Sequence, residues 1–227
     1  MNRNTGRSLA IVAAVLMIMA LAAPAAAKDK LPEVSSDGLS LVPNTKVYAA
    51  YTKPGTRFNK YTKVKILDCY VDFVENWQRH YNLDRVGLSG RVNDKDAEDI
   101  KKRLAAEFNK VFTEQLGKEG NPVVDEVGPD VLLLRPALVN VDVAAPDVRS
   151  ASMSRTFVRS AGSMTLYLEL YDSSTNTLLA RVIDPQADRE GFAREANRMS
   201  NRVAADRILR EWATLLASHL GELQDND

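Results

Sequence analysis

One cysteine, Cys69, and two histidines, His80 and His219, stand among 227 residues. A lone cysteine excludes an intramolecular disulfide, so packing alone must hold the fold. Zinc sites draw three or four ligands from histidine, cysteine and carboxylates, and two histidines 139 positions apart with one cysteine do not supply a dedicated site. Charge of one sign is also missing. Thirty Lys and Arg balance thirty Asp and Glu, so no basic excess points to nucleic acid. Neither a phosphate-cradling glycine loop nor a dinucleotide-binding glycine fingerprint is present. Beyond residue 27 no apolar run approaches the roughly 20 residues a spanning helix needs.

What the chain does have begins at its start. Arg3 and Arg7 precede an uncharged run from Leu9 to Ala23, and Pro24 leads into Ala25, Ala26 and Ala27. A positive start, an apolar stretch and a small-residue cleavage site are the pattern of a secretory signal, predicting cleavage after Ala27 and a mature start at Lys28. Loss of Arg3 and Arg7 leaves 28 basic and 30 acidic groups, a net charge of −2. Lys28, not a cysteine, stands directly after the cleavage point, so the chain is expected to be periplasmic and not lipidated.

Residues 28–61 are punctuated by Pro32, Gly38, Pro43, Pro54 and Gly55 and read as an extended arm with one short strand at Lys46 to Tyr51. Residues 62–227 read as a single α/β domain. Lys63 to Phe73 carries apolar residues on both faces, as a central strand does. From Asp94, expected as the N-cap, Ala97, Ile100, Leu104, Phe108, Val111, Phe112 and Leu116 recur at helical spacing until Gly117 and Gly120. Val123 to Glu126 reads as a short strand and Val131 to Val143 as a long apolar one, with a bulge or sheet edge expected at Pro136, which cannot donate to a ladder. Ser163 to Tyr171 alternates Met164, Leu166, Leu168 and Leu170 with Thr165, Tyr167, Glu169 and Tyr171, and with Leu178 to Ile183 it predicts a hairpin. A second helix, about Asn201 to Leu220, presents Val203, Ile208, Leu209, Trp212, Leu215, Leu216 and Leu220. The order predicts a two-layer α/β sandwich: a mixed β-sheet with two amphipathic helices packed on it.

Residue patterns that suggest chemistry have plainer explanations. Asp172, Ser174 and Asn176 match the opening of a calcium loop, but Thr177 replaces its glycine and Ile183 its chelating glutamate, which leaves a hairpin turn. Gly87, Ser89 and Arg91 resemble a nucleophile elbow, yet Arg91 stands where glycine is required. Asp68 and Asp72 share one face of a strand but sit about 13 Å apart, too far for a glycosidase pair. Cys69, between Leu67 and Val71, reads as a small buried hydrophobe. Two long connections remain. One begins with Trp77, Arg79, His80 and Tyr81 and the other carries Arg149, Arg155 and Arg159, residue types that make interface hot spots. If Lys63–Phe73 and Val131–Val143 run parallel, both connections leave the same sheet edge and these seven residues form one candidate binding patch. If Val123–Glu126 takes the parallel position instead, the connections lie at opposite ends.

The segments PNTKVYAAYTKPGTRFNKYTKVKILD, VNDKDAEDIKKRLAAEFNKVFTEQL, VVDEVGPDVLLLRPALVNVDV and AGSMTLYLELYDSSTNTLLARVID resemble the bacterial family filed as domain of unknown function 3313. The likeness covers nearly the whole mature chain. It implies an exported protein and transfers no catalytic motif. Many members are lipoproteins, and this chain departs from them by lacking the lipidated cysteine. Its helix and hairpin order also resembles, more weakly, envelope lipoprotein domains of the curli-secretion type. Together these readings predict a periplasmic, non-enzymatic accessory or binding protein of the cell envelope. No cofactor, nucleic acid or membrane span is expected, and the partner is expected to be an envelope protein or a cell-wall glycan. A hydrolase using Ser89 or a loop carboxylate, or a small-ligand carrier, is the alternative. Intact-mass measurement of the periplasmic fraction should give a chain beginning at Lys28, whereas a full-length chain in the inner membrane would refute cleavage.

Overall fold

A computed structural model describes residues 31–83, 91–143, 156–158, 162–187, 194–196 and 198–225. Leu31–Asp227 forms one compact unit. The strands are β1 (Ser40–Leu41), β2 (Ala49–Thr52), β3 (Lys63–Ile66), β4 (Tyr70–Phe73), β5 (Val131–Val143), β6 (Thr156–Val158), β7 (Gly162–Asp172), β8 (Thr177–Ala187) and β9 (Arg194–Ala196). The helices are α1 (Trp77–Leu83), α2 (Asp94–Lys118) and α3 (Arg198–Asp225). A seven-stranded mixed sheet runs β1-β2-β8-β7-β5-β3, with β4 also on β5, and β6 pairs with β9 separately. The expected α/β architecture, a mixed sheet with helices packed on it, is what the chain adopts.

The anticipated strand from Lys63 to Phe73 is broken in two. β3 lies parallel to Val131–Leu134 and β4 parallel to Ala137–Val141. The break explains Pro136, where a bulge or edge was expected. β5 is central and keeps its register with β7 through the Pro136 and Leu168 pair, the shift coming later, between Val139 and Asp142. The Leu67 N–H donates to the Leu134 carbonyl at 2.9 Å, so even-numbered residues here turn their backbone groups toward β3 and β4. Pro136 therefore aims its missing donor at the gap where β3 has ended and β4 has not begun.

Register assigns the two faces. Leu132, Leu134, Leu138, Met164, Leu166, Leu168 and Leu170 form one core cluster with Phe108, Val111, Phe112 and Leu116 of α2 and Ile208, Leu209, Trp212 and Leu220 of α3. Both long helices thus lie on one face, and Phe108 stacks on Phe112 at 3.9 Å. Of the expected core positions, Phe108, Phe112, Ile208 and Trp212 are buried, while Leu104 and Leu216 are half-buried at the margin. Val203, placed by periodicity on the apolar stripe, is 50% exposed. The N-cap of α2 is Asn93, one residue before the expected Asp94. The Asn93 side chain accepts from the Asp96 N–H and Asp96 accepts from the Asn93 N–H, closing a capping box. Gly120, just past the helix, takes φ +81, the left-handed region where glycine alone is unstrained.

The arm carries two strands, β1 and β2, and β2 is hydrogen-bonded to β8 within the main sheet. Val123–Glu126 contributes a single parallel bridge, Val123 to Val64, on the outer side of β3. The hairpin forms as expected. Asp172 closes it, its Oδ1 accepting from the Ser174 and Thr175 N–H groups at 3.0 and 2.9 Å while its Oδ2 accepts from Lys60 Nζ at 2.9 Å and the Tyr61 hydroxyl at 2.8 Å. Trp212 donates its indole N–H to the buried Asp184 Oδ2 at 2.8 Å. Trp212→Ala should cost about 3 to 5 kcal/mol through the cavity it leaves, and Trp212→Phe only about 1 kcal/mol, because it removes one hydrogen bond to Asp184 Oδ2, which still accepts from Gln186 at 2.8 Å, and opens no comparable cavity. Urea denaturation of the three chains checks this order.

Candidate functional site

The seven expected patch residues divide. The parallel arrangement is realised, with α2 between β4 and β5, and both strands end at the same edge. There the Trp77 indole N–H donates to the Val143 carbonyl at 3.3 Å. Trp77 is not on a free surface, however. It is buried with Val92, Ala97 and Ile100 and stacks on Phe73 at 4.0 Å with planes 9° apart. The stretch read as a loop starts as helix α1, held to the approach of α2 by Asn82, which accepts from the Val92 N–H and donates to its carbonyl, both at 2.8 Å. Trp77 is therefore an anchor for α1. Arg79 and His80 are exposed on that helix and Tyr81 is half-buried, 6.0 Å from Trp77. Arg149, Arg155, Arg159 and Ser89 lie outside the described residues.

A second cluster lies on the sheet face opposite α2 and α3. Cross-strand register places Arg135, Glu169, Arg181 and Tyr51 in one row across β5, β7, β8 and β2, with Ala137, Tyr167, Ile183 and Ala49 in the next. Glu169 is 5% exposed at the centre. Arg181 donates to its Oε1 from Nε at 3.2 Å and from a terminal nitrogen at 2.8 Å. The Tyr171 hydroxyl donates to Oε2 at 2.8 Å, the Tyr167 hydroxyl to Oε1 at 3.3 Å, and Arg135 approaches Oε2 at 3.4 Å. Asp37 of the arm completes the network at 2.5 Å from Arg181.

Burial would raise the Glu169 pKa, but the hydrogen bonds from Arg181 and Tyr171 and the charge of Arg135 outweigh it and hold the carboxyl below the usual range. It is a committed acceptor and is not poised as a proton donor. Its effect is to fix two tyrosines and two arginines on a flat surface. The Arg135 guanidinium lies 5.9 Å from the Tyr171 ring centre and that of Arg181 5.4 Å from Tyr167.

The arm divides this face. Leu39, Ala49 and Tyr51 form a small buried cluster with Leu31, Leu41, Leu178 and Ile183, which covers the β2–β8 side. The β5–β4 side presents Arg135, its side chain 63% exposed, and Tyr70, 59% exposed and paired with Ala137. Sequence reasoning missed this surface because it searched connections. The signal was present in the alternation of Tyr167, Glu169 and Tyr171 against the apolar leucines, which marks a polar sheet face but not its neighbours.

Elsewhere the titratable groups are structural. Burial pushes the Cys69 thiol up to about 12, consistent with a packed and unreactive sulfur. Asp72 pairs with Lys101 at 3.1 Å. Lys60 holds the Asp172 carboxyl far below its ordinary value, against the upward pull of burial. Among the described residues no His, Cys, Asp and Glu gather in a group of three able to hold a metal ion, and no helix is long and apolar enough to cross a membrane.

Residues 34–216 match the family model described as a protein of unknown function, DUF3313. No curated protein matches the sequence. Among solved structures, the chain is similar to the PelC dodecamer from Paraburkholderia phytofirmans (9% identity, 74% of this chain and 96% of that one, TM-score 0.37). It is similar also to the hypothetical protein CT253 from Chlamydia trachomatis (11%, 72% and 98%, 0.34) and to a DUF4136 family protein from Bacteroides thetaiotaomicron (10%, 75% and 94%, 0.36).

The lowered pKa of Glu169 has a defined consequence for stability. A carboxylate favoured in the fold stabilises it fully above the unfolded value of about 4.3 and ceases to as pH falls through the lower folded value. Glu169→Gln should cost about 1 to 3 kcal/mol at pH 7, and thermal melts should show the gap to the parent chain closing below about pH 4.

Proposed function

We propose that this chain, which belongs to the DUF3313 family of proteins of unknown function, is an exported, non-enzymatic binding protein of the bacterial cell envelope. Its partner is a protein, and it docks on the sheet face left free by the two long helices. The observation that carries this reading is the Glu169 network. A buried carboxylate that fixes Tyr167, Tyr171 and Arg135 preorganises an aromatic and arginine surface, so little side-chain freedom is lost on binding. Tyr70 extends the same surface toward the β4 edge. The secretory pattern of residues 1–27 supports placement in the periplasm, where such a surface would meet other envelope components. Arg79 and His80, exposed on α1, belong to the proposal as a second contact, together with Arg149, Arg155 and Arg159, which lie outside the described residues.

Tyr70→Ala combined with Arg135→Ala should abolish recovery of the partner by affinity capture from the native envelope. Both side chains are more than half exposed, and Glu169 keeps its hydrogen bonds from Arg181, Tyr171 and Tyr167 when Arg135 is removed, so stability should stay within about 1 kcal/mol of the parent. Full recovery by the double variant would refute the sheet-face site. Loss of recovery only on Arg79→Ala with Arg155→Ala would move the docking site to that second contact, and recovery of cell-wall glycan in place of a protein would refute the partner class.

A further inference from the structure

Two helices do not cover this sheet. A helix is about 10 Å across and strands lie about 4.8 Å apart, so α2 and α3 together span roughly four strands. On the helix side Trp212 of α3 reaches Asp184 of β8, but Val182 of β8 and Ala50 of β2 are left half-buried. The segment before β2 folds back to form a third wall. The result is a slot of about 80 Å³ between α3 and β2, floored by Leu168 and Val182 and flanked by Trp212, with Lys46 and His219 also on its lining. An apolar slot of this size offers a water too few polar partners, and it is about half the volume of an apolar cavity known to take benzene. It suits a few methylene groups rather than a ring.

The rim supplies the second requirement. His219 is engaged by Glu222 at 3.3 Å. Lys46 is exposed and has no ion-pair partner among the described residues. A fixed apolar slot beside an uncommitted ammonium group is complementary to an aliphatic chain ending in an anion. We propose that the slot binds a medium-chain aliphatic carboxylate, its terminal methylenes between Trp212 and Val182 and its carboxylate at Lys46. This site lies on the helix side of the sheet, away from the tyrosine and arginine face.

In a Trp77→Phe background, which removes the chain's other tryptophan, Trp212 provides the readout, since a bromine on the chain terminus would quench its emission. Titration of the full chain with 8-bromooctanoate should give saturable quenching. Unlabelled competitors should gain about fourfold in affinity per added methylene until the slot is full. Lys46→Glu should weaken the carboxylate about fivefold and leave 8-bromooctanol unaffected. Ala50→Leu, which fills the slot, should abolish quenching; Lys46→Glu, at an exposed position, keeps the test valid if that variant fails to fold. Absence of saturable quenching through the millimolar range would overturn the proposal. So would quenching indifferent to Lys46→Glu, which would place the amphiphile elsewhere, for example on the apolar residues 9–23.

Discussion

The structure turns on the thirteen residues of β5. They are paired on both sides, parallel to β3 and β4 and antiparallel to β7, so every other side chain is committed to the helix-covered face. Leu132, Leu134 and Leu138 are fully buried there, in the same cluster as Phe108 and Phe112. A slip of one residue would bury Arg135 in the core and expose three leucines, a cost of several kcal/mol. That penalty fixes the register of β7 and, through it, of β8 and β2. The polar row of Arg135, Glu169, Arg181 and Tyr51 is a consequence of the same register. Core and candidate surface are two sides of one constraint.

Polar groups then decide how the periphery attaches. Asp172 ties Lys60 and Tyr61 to the hairpin turn, Asp184 ties Trp212 of α3 and the Tyr48 N–H to β8, and Asp37 ties the arm to Arg181. Each carboxylate joins segments distant in sequence and leaves few of its own acceptors unused. Acidic residues that could suggest catalysis in a list of side chains are, in the fold, clamps. Gly162 shows a similar tightness in the backbone. Its φ is +155, and a Cβ there would meet the Asp142 carbonyl oxygen at 2.6 Å, so only glycine allows β7 to begin this close to the bulge in β5.

The candidate site could be read from sequence only in half. Alternation along Ser163–Tyr171 identified Tyr167, Glu169 and Tyr171 as one face, because side chains in a strand alternate whatever the topology. It could not show that Arg181 lies opposite Glu169, because the hairpin's register shifts between Leu170 and Tyr171, or that Arg135 flanks it, because that pairing joins β7 to a strand outside the hairpin. Trp77 illustrates the opposite error. Its polar neighbours suggested a connection, whereas Phe73, four residues before it, stacks on the indole and draws it into the core at the end of the parallel pair.

The sequence by itself determined the secretory pattern, the amphipathic stripes of α2 and α3, the hairpin of β7 and β8 and the α/β class. Each of these rests on periodicity or local chemistry within a few turns of chain. Only the tertiary structure decided that the arm joins the sheet, that β3 and β4 break opposite Pro136, and which sheet face stays free. Those outcomes depend on pairing between segments separated by as many as 134 residues, as Ala49 is from Ile183, and no local pattern encodes which partner a strand will find.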